Sequence, residues 1–228
     1  MLSFHLSITA AAALLIAVPA LGQVLPARVR GTITAIDEGS LTVKERDGRS
    51  ITLKTGLYTA YAYVVPSKLE AIKVNDFVGS AVKGPLGSFV AVELAIIPEN
   101  MRAGRISLYD WDPLPDPTAR HTSKMTATSM TNGLVSNVSL GAQLLTNTDM
   151  TNGTVSAERA SGSGVTLTVT YDGGSKSFRI AVPPDAPIVR YVLSDRSAVA
   201  VGSAVMIKTN PGDQAGLVTV GKGVTPPM

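Results

Sequence analysis

The feature that most constrains this chain is a two-residue alternation of apolar and polar side chains that recurs, in the same order, in two parts of it. Val29, Gly31, Ile33 and Ala35 fall on one side and Arg30, Thr32 and Thr34 on the other. Leu41 and Val43 alternate with Thr42 and Lys44, and Ile51 and Leu53 with Thr52 and Lys54. A period of two is that of a β-strand, and a polar side on every strand means a sheet with one wet face. Gly31-Thr32-Ile33-Thr34-Ala35 is matched by Gly153-Thr154-Val155-Ser156-Ala157, and Leu41-Thr42-Val43 by Leu167-Thr168-Val169. Asp47-Gly48 is matched by Asp172-Gly173, and Tyr63-Val64-Val65 by Tyr191-Val192-Leu193. Similarity repeated in order points to an internal duplication.

Asp47-Gly48 suits a tight hairpin, because both residues tolerate positive φ. In Pro66-Ser67-Lys68-Leu69-Glu70-Ala71-Ile72, Ser67 and Glu70 have the spacing of a capping box, which predicts a short helix. Two further apolar runs, Phe77 to Lys83 and Phe89 to Ile97, flank a Gly84-Pro85-Leu86-Gly87 turn. Three strands, a short helix and two strands is the order of an OB-type Greek-key barrel. The second copy reads the same way, with strands near 153–158, 164–171, 174–182, 203–209 and 214–220 and a helical turn near Asp195 to Val199. The expected fold is all-β with minor α: two tandem OB-like five-stranded barrels after a signal peptide. The divisions are a signal peptide at 1–22, module 1 at 24–98, a Pro/Asp-rich linker at 99–129 and module 2 at 130–228. The linker contains Asp112-Pro113-Leu114-Pro115-Asp116-Pro117, and prolines so dense fit neither a sheet interior nor a helix. Met130-Thr131-Asn132-Gly133 recurs as Met150-Thr151-Asn152-Gly153, so 130–149 reads as a partial copy of the second module's first strand.

The stretch 6–18 is almost wholly apolar or small and is followed by Pro19-Ala20-Leu21-Gly22, the layout of a cleavable export signal. It is shorter than the roughly twenty residues a spanning helix needs, and no later stretch is longer, so the mature chain is expected in the periplasm or outside the cell without a transmembrane anchor. The chain has no cysteine, which removes disulfides, thiol chemistry and Cys-based metal sites. Net charge is +3, with ten basic and eight acidic residues in 24–102, three and three in 103–129, and seven and six in 130–228. An excess spread so thinly argues against nucleic acid as a partner.

Chemistry-bearing residues are sparse. After residue 22 the one histidine is His121, inside the predicted linker, and no Gly-x-Ser-x-Gly elbow accompanies it. Asp110, Asp112 and Asp116 form the densest acidic group, but Trp111 and three prolines break the spacing a calcium loop requires. Asp37, Glu38 and Asp47 fall in turns, where carboxylates serve the backbone. The residues imply no catalytic group, no metal and no cofactor. Aromatic side chains remain: OB-type barrels bind through aromatics on an open face, which makes Tyr58, Tyr61, Trp111 and, beside them, His121 the candidate ligand contacts. Tyr63 has a counterpart in Tyr191, which points to packing common to both modules.

Five stretches carry a family resemblance: Val29-Arg30-Gly31-Thr32-Ile33, Pro98-Glu99-Asn100-Met101-Arg102, Met150-Thr151-Asn152-Gly153-Thr154-Val155, Val182-Pro183-Pro184-Asp185-Ala186-Pro187-Ile188-Val189 and Gly223-Val224-Thr225-Pro226-Pro227. Through them the chain resembles a bacterial family of exported proteins described as a domain of unknown function with an OB-like barrel. Some of its members carry a metal-transporter permease label, which requires several spanning helices that this sequence lacks. The resemblance implies fold and compartment and brings no catalytic residues. The resulting expectation is an exported, non-catalytic binding or scaffold protein whose partner is an envelope protein or glycan. A soluble accessory of a transport system, holding a small molecule or ion between the modules, is the alternative, and a hydrolase comes third.

Overall fold

The structure, a computed structural model, describes residues 25–226 except 86, 103–107, 117–124, 141–144, 152–153, 160–163 and 172–173. The predicted signal peptide therefore lies outside the described residues. Alternating segments become strands throughout. In the first half these are β1 (Arg28–Asp37), β2 (Ser40–Glu45), β3 (Ser50–Lys54), β4 (Ala60–Pro66), β5 (Phe77–Lys83) and β6 (Phe89–Ile97). Next come β7 (Leu108–Pro115), β8 (Met125–Leu140), β9 (Leu145–Thr151) and β10 (Thr154–Arg159). The chain ends with β11 (Val165–Tyr171), β12 (Lys176–Val182), β13 (Ile188–Ser194), β14 (Ala204–Asn210) and β15 (Gln214–Gly221). Gly48 takes a φ of 90° in the β2–β3 turn, as the Asp-Gly pair predicts. The fold is all-β, and among the described residues the only helical pieces are short 3-10 turns. No helix among the described residues is long and apolar enough to cross a membrane.

Pairing closes two five-stranded rings. In the first, β1 pairs with β2 and β14, β2 with β3, and β14 with β15. The circuit closes where Gln214 of β15 runs parallel to Lys54 of β3, and the Lys54 amide donates to the Asp213 carbonyl at 2.8 Å. In the second, β8 pairs with β11 and β5, β11 with β12, and β5 with β6. Here the closing contact is the parallel pairing of Ile180 and Ala181 in β12 with Phe89 and Val90 in β6.

The expected division into tandem barrels at 24–98 and 130–228 differs from this pairing. Each ring takes three strands from one half of the chain and two from the other: β1, β2 and β3 close with β14 and β15, while β8, β11 and β12 close with β5 and β6. The two halves have exchanged their last two strands. Alternation cannot reveal such an exchange, because it states which face a residue occupies and not which strand lies beside it.

The first strand of the second ring also differs from expectation. It is β8, and Thr154–Arg159 instead forms a separate hairpin with β9. The position that matches Gly31 is Gly133. A Cβ at Gly31 would overlap the Lys44 carbonyl oxygen, and one at Gly133 would overlap the Thr170 carbonyl oxygen. Register slips just beyond each glycine, past Ile33 in β1 and past Val135 in β8. At the two slips, Thr34 Oγ1 donates to the Thr42 carbonyl at 3.3 Å and Ser136 Oγ to the Thr168 carbonyl at 3.1 Å. Both rings thus bend at the same place by the same device.

Each ring is filled by its inward residues. The first holds Val29, Ile33, Leu41, Val43, Leu53 and Ile207 at its centre, and the second holds Leu167, Val169, Ile180, Phe178, Phe89 and Val135. A third core joins them. β4 and β13 run antiparallel, with Tyr63 opposite Val192 and Val64 opposite Tyr191, and this pair lies between β15 of one ring and β6 of the other. Ala62, Val64, Val189 and Tyr191 pack there against Ala81, Val92, Ala95, Leu114 and Met130. β5 and β6 are therefore covered on both faces, which explains their nearly continuous apolar sequence.

Two smaller expectations change. The predicted helix after Pro66 is a 3-10 turn over Leu69–Ala71 with no side-chain cap. The N-cap position falls on Lys68 and not on Ser67, whose amide donates to the Ile188 carbonyl at 2.7 Å and extends the β4–β13 ladder. Within the predicted linker, β7 pairs with β8, with the register slipping between Trp111 and Leu114. Its prolines are tolerated because, among the described residues, β8 is the one strand with which β7 pairs.

Candidate functional site

On β1 and β2 the inward positions are apolar, so the alternation that builds the first core throws Arg28, Arg30 and Thr32 outward on β1 and Lys44 outward on β2. Thr32 lies directly across from Lys44 on one side and Ala204 of β14 on the other. Arg46, in the turn just past the end of β2, lines the same pocket as Lys44. A pocket of about 310 Å³ opens on this wall, lined by Arg30, Thr32, Lys44, Arg46, Thr225 and Pro226 among others. The last two come from the tail that follows β15. That tail is held down where Val224 packs on the third core and where the Lys222 amide donates to the Val64 carbonyl at 2.9 Å. Lys222 Nζ also stands 3.7 Å from the Tyr63 ring centroid.

The pocket is electropositive. Glu45 is its one acidic lining residue, and Arg49 pairs with it at 3.0 Å. Arg49 also grips Asp47 at 2.6 Å; hydrogen bonds from the Arg49 backbone and side chain hold the Asp47 carboxyl below its usual range. Lys44 and Arg46 have no carboxylate at ion-pair distance among the described residues.

Behind the pocket, Arg28 stacks with its guanidinium carbon 3.9 Å from the Trp111 ring centroid, and Arg30 lies at 5.9 Å from the same ring. Such stacking orients a guanidinium. Deeper still, burial pushes the Tyr191 hydroxyl up to about 12, with the nearby Thr219 hydroxyl pulling it partly back down. At the far end of β5, Lys83 and Asp116 form a buried ion pair at 2.6 Å, with side chains 9% and 2% exposed.

Of the four aromatic and histidine candidates, Tyr58, Tyr61 and Trp111 are not gathered into one site. Tyr58 is 91% exposed on the β3–β4 turn, next to Leu57. Tyr61 packs on the first ring's core and Trp111 on the third. His121 lies outside the described residues. Of the acidic group, Asp116 is the buried partner of Lys83, and among the described residues no group of three or more His, Cys, Asp or Glu is placed to hold a metal. Sequence reasoning missed Arg30, Lys44, Arg46 and Thr225. The first three share outward parity on a predicted hairpin, a signal that was readable; the tail's approach to them was not. No protein-family profile, curated protein or solved structure matches the chain.

Proposed function

We propose that this is an exported, non-catalytic binding or scaffold protein of the bacterial envelope, and that the outer wall of its first ring meets an envelope protein or glycan. The observation that carries this reading is the pocket itself, lined by Arg30, Lys44 and Arg46, by Thr32 and Glu45, and by Thr225 and Pro226 of the tail. Binding sites are recessed, largely pre-formed and supplied with a few placed polar groups, and this one has those properties. The space between the rings supports it as well, because apolar side chains fill the place where a transport accessory or hydrolase would need a cleft. On this reading the two halves descend from one duplicated module, and 1–22 is removed on export.

Affinity capture from native envelope extract, using the chain and a Lys44→Glu/Arg46→Glu variant, tests the reading. Expected is a defined set of envelope components retained by the native chain and lost by the variant. Retention of nothing beyond what a denatured control retains overturns it. Sequencing the amino terminus of the exported protein tests the compartment, and recovery of Met1 would contradict cleavage.

A further inference from the structure

We infer that residues 145–160 are a second occupant for the place in the second ring that β8 fills, and that the ring exchanges one strand for the other. Set twenty positions apart, β8 and 145–160 agree at eight of sixteen positions, and the agreement follows burial. Thr128, Met130, Thr131, Gly133 and Val135 are the buried residues described in β8, and their counterparts Thr148, Met150, Thr151, Gly153 and Val155 are identical. Of the seven half-buried or exposed positions between 129 and 139, only Asn132 and Ser136 recur. Val135 fills the second core and Met130 the third. Gly133 admits the Thr170 carbonyl, and Ser136 Oγ donates to the Thr168 carbonyl at the register slip. Val155, Met150, Gly153 and Ser156 bring the same set to the same slot.

The connections fit as well. Leu140 of β8 lies across from Val165 of β11, and the twenty-four residues 141–164 join the two strands. A connection of that length between neighbouring strands is uncommon. Ala160 matches Leu140, so with 145–160 in place the connection contracts to Ser161-Gly162-Ser163-Gly164, a hairpin loop of ordinary length. The first ring is joined in this manner, with only Glu38 and Gly39 between β1 and β2. Among the described residues β9 and β10 pair with each other alone, so no ring pairing is lost when they part.

Two differences decide which strand is preferred. Thr154 stands where β8 has Leu134, and Glu158 where it has Val138, a half-buried residue packed on the second core. β8 is therefore the major occupant and 145–160 the minor one. Exchange moves twenty residues from one side of the strand to the other: the connection before it grows from 116–124 to 116–144, and the one after it shortens to 161–164. A partner that holds either long connection biases the exchange by the difference in its affinity for the two states.

Four whole chains test the exchange by circular dichroism on heating: native, Val135→Asp, Val155→Asp and the double variant. A carboxylate at a fully buried core position ordinarily disrupts the packing around it. Expected for Val135→Asp is a cooperative transition with its midpoint lowered by about 10 °C or less, because 145–160 takes over the slot. Val155→Asp alone should stay within about 2 °C of the native chain, and the double variant should lose the transition. A Val135→Asp chain that loses its transition unaided, or a double variant no worse than the sum of the single ones, overturns the inference. Engineered disulfides read the exchange directly, since the chain has no cysteine. Thr168 faces Asn137 across the ladder, and Ala157 is the counterpart of Asn137. In the Val135→Asp background under mild oxidation, Thr168→Cys/Ala157→Cys should close within the chain about fivefold more than Thr168→Cys/Glu158→Cys, whose second position faces the other side of the strand. Equal yields from the two pairs, or a bond that forms only between chains, would overturn exchange within one molecule.

Discussion

At the scale of single residues, the buried pair Lys83–Asp116 makes the sharpest prediction. Removing one member leaves the other charged and dry, which costs about 3–5 kcal/mol, whereas replacing both by apolar residues of similar volume is near neutral. Lys83→Met should therefore lower the unfolding free energy in urea far more than Lys83→Met/Asp116→Leu does; equal losses would show that the charge itself is not the issue. Tyr191 gives a pH prediction. Its hydroxyl is raised from 10.0 to about 12 in the folded chain, so its contribution is complete below pH 10, where both states hold the proton. Above that the unfolded state ionises first, and stability falls until about pH 12, by roughly 2–3 kcal/mol. Urea midpoints measured across this range should fall less in Tyr191→Phe than in the native chain. Neither residue's role was legible beforehand. Asp116 read as an acid in a proline-rich linker, because nothing local to it announces a lysine over thirty positions earlier at the end of β5.

Among elements, strands were the legible part. Alternation located β1, β2, β3, β5, β6, β11, β12, β14 and β15 to within a residue or two, and Asp-Gly marked the β2–β3 turn. What the residues could not disclose was partnership. The repeated Met-Thr-Asn-Gly quartet sits at two candidate first strands, and local pattern favoured the wrong one. The glycine at the bulge tells them apart in three dimensions. Gly31→Ala and Gly133→Ala each push a methyl group into the carbonyl of the neighbouring strand and should cost about 1–3 kcal/mol. Gly39→Ala meets nothing within 4 Å and should change stability by a few tenths of a kcal/mol. Thermal unfolding of the three variants checks the ranking, and a Gly133→Ala variant as stable as Gly39→Ala would show that β8 does not take the part assigned to it. The candidate site was half legible: the outward cations of β1 and β2 could be read from parity, but Thr225 is some two hundred residues from Arg30 along the chain.

For the whole molecule, the exchange of strands makes the rings interdependent. Neither half contains a complete ring, and β4 with β13 welds both to a shared core. Unfolding should therefore be a single cooperative transition, with calorimetric and van't Hoff enthalpies equal. Two resolved transitions would mean that the rings are separable after all. Fragments 25–102 and 125–226 should each lack stable sheet alone and recover it when mixed, as circular dichroism would report. A chain of two true tandem barrels would behave in the opposite way on both counts.

The same exchange sets a clock on synthesis. A ribosome makes the chain from its amino end, and domains ordinarily fold as they emerge. Here the second ring waits for Lys176–Val182 and the first waits for Gln214–Gly221, its last strand. β1, β2 and β3 are made early and can pair with one another, but they stay without β14 and β15 until translation is nearly over. On the proposed export route this delay would suit a channel that accepts only unfolded polypeptide, because the order of the strands postpones closure of each ring until its last strand has been made.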